Sequence, residues 1–148
     1  MKITFAFALN HDGVFEKCHF GDSDQFVIYA FNERDLLYSE VLPNTFNTRD
    51  SKHEHGSKQK GNAIISSLKE KGVEVLVSKQ FGKNIKMVNQ HFIPVIIKED
   101  NPDQVLEILL NHISWFKNEL KNKKTAYMLF YTKNGILEMH VKRDETGF

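Results

Sequence analysis

The sequence has few of the residues that define specialised classes of protein. Its 148 residues include one cysteine, three prolines and one tryptophan. A single cysteine excludes an intramolecular disulfide and an all-cysteine metal site within one chain. It also favours a reducing compartment, so we expect a cytoplasmic protein. The longest apolar runs, such as residues 93–97, fall far short of the roughly 18 residues of a membrane-spanning helix. We therefore expect no membrane association.

The chain also lacks an excess of charge of one sign. Its 20 basic and 19 acidic residues give a net charge of +1. Domains that bind nucleic acids usually carry a marked basic surface, so we expect no nucleic-acid partner. Hydrophobic residues make up 41% and charged residues 26%, which is typical of soluble globular domains. The length fits one domain, with or without an appended segment.

The first third of the chain predicts an antiparallel meander. Bulky and small residues alternate over residues 3–9, which is typical of a strand. Residues 26–31 are rich in aromatic and β-branched side chains, and a short connection leads to a partner strand over residues 36–42. Residues 14–17 are a candidate for a further short strand.

Beyond a polar segment over residues 43–61, the pattern changes to alternating helices and strands. We expect a helix from about Gly61 to Gly72, strands over residues 73–77 and 93–97, and a short helix over residues 85–91 between them. Such a unit predicts parallel strands. The expected core is a mixed five-stranded sheet in which residues 3–9, 73–77 and 93–97 run parallel.

The C-terminal part predicts one helix and one hairpin. Asn101-Pro102 is a helix start, and the apolar stripe continues to about residue 120. Asn134-Gly135 predicts a tight turn that pairs Phe130 with Met139 and Thr132 with Leu137. The apolar face of this hairpin needs a cover, which is either the preceding helix or a second copy of the chain. We favour a homodimer, and we divide the chain into a domain at residues 1–120 and a hairpin extension at residues 121–148. The residues expected to be buried on that face are Met128, Phe130, Leu137, Met139 and Val141.

Two short motifs carry potential metal ligands. Cys18 and His19 lie between the early strands, and His53 and His55 lie in the polar segment. Thiolate sulfur and imidazole nitrogen suit zinc, copper or iron. Alternatively, Cys18 packs as a small apolar residue and the histidines are solvated loop residues. Only the fold decides whether the two motifs meet.

Catalytic patterns are weak. The serines lie in no nucleophile-elbow motif. A two-metal nuclease needs clustered acids, and the segments 3–9 and 73–77 contain only Glu74. We therefore do not expect an enzyme.

The segments HFGDSDQFVIY and HEHGSKQKGNAIISSLKEKGVEVLVSKQFGKNIKMVNQHFIPVII resemble the dinitrogenase iron–molybdenum cofactor biosynthesis family, which includes NifX-like proteins and the C-terminal domain of NifB. The resemblance covers roughly residues 1–113. Its distinctive parts are His19-Phe20-Gly21, His55-Gly56 and the run of residues 71–77.

The resemblance implies a ribonuclease H-like three-layer α/β fold. It also implies a non-catalytic protein that binds or carries an iron–sulfur or iron–molybdenum cofactor precursor, with metallocluster biosynthesis proteins as partners. His19 and His55 would be the metal ligands, with Cys18 and His53 as helpers, at the carboxyl ends of the parallel strands. The expected lining of the ligand site is Phe20, Gly21, Gly56, Gln80 and Gly82. Two alternatives stay open: an interaction or oligomerisation module of the same fold without a metal, and a ribonuclease H-like hydrolase.

Overall fold

The structure is a computed structural model that describes residues 2–45, 56–82, 85–122 and 125–140. The described part of the chain forms one seven-stranded sheet with four α-helices. The strands are β1 (Ile3–Leu9), β2 (Gln25–Phe31), β3 (Leu36–Pro43), β4 (Val75–Ser78), β5 (Ile93–Ile96), β6 (Leu129–Lys133) and β7 (Ile136–His140). The helices are α1 (Gly56–Glu70), α2 (Ile85–Val88), α3 (Pro102–Asn111) and α4 (Ile113–Asn122).

The sheet is mixed, and its strand order is β3-β2-β1-β4-β5-β6-β7. Strands β1, β4 and β5 run parallel, and β2 is antiparallel to both β1 and β3, as the sequence predicted. The sheet has seven strands rather than the predicted five, because β6 pairs in parallel with β5 and brings the C-terminal hairpin into the same sheet. The expected strand over residues 14–17 is reduced to a single bridge between Leu9 and Phe15.

Both faces of β1 are buried, which explains its alternation of bulky and small residues. Phe5 and Phe7 face the side of the sheet that α3 and α4 cover. Ala6 and Ala8 face the side that α1 and α2 cover, and their small size fits the bulky aromatic side chains gathered there. The sheet therefore has a hydrophobic core on each face. No helix among the described residues is both long enough and apolar enough to cross a membrane.

Three helix boundaries differ from the sequence prediction. The short helix expected over residues 85–91 ends at Val88. Helix α1 begins at Gly56 rather than near Gly61. Its first five residues carry no apolar side chain that would reveal the helical period. The helix expected over residues 102–120 is broken at His112, whose backbone leaves the helical region at φ −122°. The His112 ring nitrogen Nδ1 lies 2.8 Å from the Ile108 carbonyl oxygen, and this contact helps to end α3.

The predicted register of the C-terminal hairpin is confirmed, and its cover comes from the same chain. Phe130 and Leu137 are buried, and the Phe130 ring lies 5.0 Å from the ring of Phe116 in α4. The prediction that Met139 is buried is wrong, since it is 41% exposed on the outermost strand. Met128 is half-buried, and Val141 lies outside the described residues. Homodimer formation stays a prediction.

Candidate functional site

The neighbouring strands β1 and β4 create a crevice at their carboxyl ends. The chain leaves β1 towards β2 on one side and leaves β4 towards β5 on the other. In open α/β sheets, ligands bind where connections diverge in this way. The loop after β1 carries Cys18 and His19, and the loop after β4 carries Gln80 and Gly82. The structure thus brings these four sequence-predicted residues to one edge of the sheet.

Gln80 joins the two loops through both its backbone and its side chain. Its carbonyl oxygen accepts hydrogen bonds from the Phe20 amide at 2.7 Å and from the Ser78 hydroxyl at 2.9 Å. Its Nε2 donates to the Lys17 carbonyl oxygen at 2.9 Å. Gln80, predicted to line the ligand site, therefore fixes the position of the segment that presents His19.

Phe20 anchors the same segment in the hydrophobic core. It begins a short 3-10 turn, Phe20–Asp22, and is buried. Its ring stacks on the rings of Phe26 and Phe81, with distances of 4.8 Å and 5.5 Å between the ring centroids. Phe20 therefore supports the site from the hydrophobic core.

Helix α1 passes close to this turn. Phe20, Gly21 and Phe81 line a cavity of about 30 Å³ together with Gly61 of the helix, which is room for a water-sized group. Gly56, another residue predicted to line the site, is the first residue of α1 and lies five residues before Gly61. At 1.5 Å per residue, the helix start is about 7.5 Å along the axis from Gly61.

His19 is held against the loop that follows β4. Its side chain is 56% exposed. A Cβ atom built on Gly82 would lie 2.9 Å from Nδ1 of His19 and 3.0 Å from both Cγ and Cε1, so the ring would have to move to make room for it. Gly82 also has φ +67°, a conformation that favours glycine. The expected proximity of Gly82 to His19 is thus present. The backbone conformation favours glycine here, and a side chain at this position would displace the His19 ring.

Asp22 also faces His19, and the sequence analysis missed it. One oxygen of its carboxylate, Oδ2, accepts the His19 amide at 3.3 Å and lies 3.9 Å from Nδ1 of the ring. The spacing of three residues across a short turn resembles the reciprocal arrangement at helix starts, and that spacing is the signal that could have identified it.

A second set of contacts, also unpredicted, ties the same edge to β5. The Lys79 ammonium group pairs with the Asp100 carboxylate, and this hydrogen bond lowers the pKa of Asp100. The Asp100 carbonyl oxygen accepts the Phe15 amide at 3.0 Å. The loops that follow β1, β4 and β5 are therefore joined to one another.

Two of the four predicted metal ligands, Cys18 and His19, lie within the described residues. Cys18 is exposed and precedes His19 directly. His53 and His55 lie outside the described residues, so their approach to His19 stays a prediction. Within the described ranges, no group of three or more His, Cys, Asp or Glu side chains is arranged to hold a metal ion.

The family comparison agrees with the resemblance inferred from the sequence. The family model described as dinitrogenase iron-molybdenum cofactor matches residues 1–112. The chain belongs to this family. No curated protein matches it.

Membership gives the chain a role related to the iron–molybdenum cofactor. The match ends at His112, where α3 ends. It therefore covers strands β1 to β5, both loops of the crevice and His19, whereas α4 and the C-terminal hairpin lie beyond it.

Proposed function

We propose that this member of the dinitrogenase iron–molybdenum cofactor family binds or carries an iron–sulfur or iron–molybdenum-type cluster, or its precursor, without catalytic turnover. The observation that carries the proposal is the exposed His19 imidazole, held against Gly82 at the carboxyl ends of β1 and β4. This site lies within the segment that matches the family. The cluster is cargo, and the proteins that load and unload it are the proposed partners.

The chemistry of the donors fits such a cargo. Imidazole nitrogen and thiolate sulfur are ligands that iron accepts, and His19 and Cys18 supply one of each from adjacent exposed positions. The proposed further ligands are His55, the residue before α1 in the sequence, and His53, two residues earlier.

Catalysis is not part of the proposal because the two strands that lead into the crevice carry no acidic residue. Neither β1 nor β4 carries an aspartate or glutamate, whereas metal-dependent nucleases cluster acids on such strands. The strand order β3-β2-β1-β4-β5 with an antiparallel β2 supports the further proposal of a three-layer, ribonuclease H-like fold. Folds of this type occur in ligand-binding proteins as well as in hydrolases, so the fold alone does not assign the function.

The proposal is tested by purifying the full chain without oxygen and measuring its visible spectrum and its iron and molybdenum content. We expect His19→Ala to lose most of the bound metal. His11→Ala is the matched control, because His11 is also exposed in the loop after β1 but faces Asp24, with Nε2 3.5 Å from Oδ1. Equal metal content in the two variants, or a wild-type protein that stays colourless after reconstitution with iron and sulfide, would contradict the proposal.

A second candidate function is an interaction or oligomerisation module, favoured by the apolar surface around the hairpin. Trp115, Phe130 and Met139 line an open groove of about 550 Å³ between α4 and β7. Ile136 on the same outer strand is 59% exposed. Light scattering on the full chain tests this candidate. A monomeric mass at all concentrations would contradict the hairpin-mediated homodimer.

A further inference from the structure

The His19 ring meets the rest of the protein at its Nδ1 atom and at one of its faces. Nδ1 faces the Asp22 carboxylate at 3.9 Å. The three ring atoms nearest to a Cβ built on Gly82 are Nδ1 and its two neighbours, Cγ and Cε1. The near-equal distances from that Cβ to three adjacent ring atoms place Gly82 over the face of the ring rather than in its plane. Gly82 therefore fixes the plane of the ring and Asp22 faces its Nδ1 atom, while the side chain is more than half exposed.

We propose that Asp22 and Gly82 are positioning residues that orient His19 so that Nε2 is the nitrogen that meets the cargo. This inference rests on the proposed function and specifies its ligand atom. Histidines that bind metals usually donate their other ring N–H to a carboxylate or a carbonyl group, which fixes the tautomer. At 3.9 Å the Asp22 contact is electrostatic, and it favours the proton on Nδ1 and a lone pair on Nε2.

Hydrogen bonds within the chain fix the position of the Asp22 side chain. Its carboxylate accepts the His19 amide, and the short turn is closed by the Ser23 hydroxyl, which donates to the Phe20 carbonyl oxygen at 3.0 Å. The Phe20 amide in turn donates to Gln80. The carboxylate therefore faces the ring before any cargo arrives.

The tautomer is measured directly from the ring ¹⁵N chemical shifts of the metal-free full chain under alkaline conditions. A free imidazole side chain in water favours the proton on Nε2, so a predominant Nδ1–H form of His19 is diagnostic. Asp22→Asn keeps an acceptor oxygen for the amide but removes the charge, and we expect it to shift His19 towards the Nε2–H form. Asp24→Asn, whose carboxylate faces His11, should leave the His19 shifts unchanged.

The effect of a side chain at Gly82 is tested with Gly72 as the control, because both glycines have a positive φ. Gly72 has φ +74° and nothing within 4 Å of a Cβ atom, whereas Gly82 has φ +67° and the His19 ring. Alanine strains the backbone similarly at both positions, so only Gly82→Ala should displace the ring resonances. With Zn²⁺ as the probe, we expect Gly82→Ala and Asp22→Asn each to weaken binding by about 10–100-fold, as loss of outer-shell partners does.

The outcomes separate this inference from the proposed function. A predominant Nε2–H form in the wild-type protein, or equal shifts in Asp22→Asn and Asp24→Asn, would overturn the inference even if Zn²⁺ binds. An Nδ1–H form that depends on Asp22 and Gly82, in a protein whose His19 does not respond to Zn²⁺ or to a reconstituted cluster, would support the positioning and count against the proposed function.

Discussion

The aromatic cluster beneath His19 offers a quantitative test of how the core supports the site. Phe20→Leu keeps an apolar side chain in the buried position but removes two stacked pairs, with Phe26 and Phe81. An aromatic pair contributes about 0.5–1.5 kcal/mol beyond its buried area, so we expect the free energy of unfolding to fall by about 1–3 kcal/mol. The turn that carries His19 should loosen as well, because Phe20 is its anchor.

Phe116→Leu is the matched control on the opposite face of the sheet. Phe116 is fully buried and also makes two aromatic contacts, with Phe5 at 5.5 Å and Phe130 at 5.0 Å. We expect urea titration to give a comparable loss of stability for the two variants. Only Phe20→Leu should also speed hydrogen exchange at the His19 and Asp22 amides and weaken the binding of Zn²⁺.

Comparing the two variants separates the effect of Phe20 on the His19 turn from the effect of losing overall stability. If both variants lose similar stability and bind Zn²⁺ equally well, the aromatic cluster does not hold the site, and the reasoning is refuted. If Phe20→Leu retains the stability of the wild-type protein, the stacked pairs contribute nothing measurable, and the estimate of 1–3 kcal/mol is wrong.

Two further predictions concern the scaffold. Burial raises the pKa of the Glu74 carboxyl group, so the folded protein binds a proton there more tightly than the unfolded chain does. The free energy of unfolding therefore falls as the pH rises from the ordinary pKa of 4.5 through the pKa of the folded state. Glu74→Gln should therefore stabilise the protein at neutral pH but not below pH 4.5; a less stable variant at neutral pH would contradict this. Asn101 caps α3 by accepting the Asp103 amide at 2.8 Å, and Asn101→Ala should lower the free energy of unfolding by about 0.5–2 kcal/mol in urea titrations. An unchanged stability would show that the cap is dispensable.

The sequence predicted the sheet well because the strands that form it leave clear local patterns. In β1 the alternation of Phe and Ala follows from the burial of both faces. The parallel direction of β4 and β5 followed from the helix between them, although that helix is only four residues long, Ile85–Val88. The hairpin register followed from Asn134-Gly135, since both residues adopt the positive φ angles of its turn.

The failures have physical causes that a periodicity argument does not detect. The polar residues at the start of α1 give no apolar stripe, so the helix start was placed near Gly61 instead of Gly56. The break at His112 depends on a contact between its ring and a carbonyl group of the preceding turn. Met139 was expected to be buried because register alone was considered, but a side chain on an outermost strand has a neighbouring strand on one side only.

The candidate site was predictable only in part. The family resemblance pointed to His19, and Gln80 and Gly82 were predicted to line the same site; the structure brings the three together. The role of Gln80 depends on a hydrogen bond between loops that are distant in sequence, which no local pattern encodes. The role of Asp22 depends on a contact within one short turn, and the three-residue spacing was the local signal for it. The predicted pairing of His19 with His55 awaits measurement, because His55 lies outside the described residues.

The position of the hairpin makes cluster binding and homodimer formation compatible. Three strand spacings of about 4.8 Å place β7 about 14 Å from β4, at the opposite side of the sheet from β2. Phe130 and Leu137 are already covered within the chain, so a second copy would contact mainly Ile136, Met139 and the groove beside Trp115. Such a contact leaves the crevice between β1 and β4 open. A homodimer would therefore present two independent sites, each with its own His19.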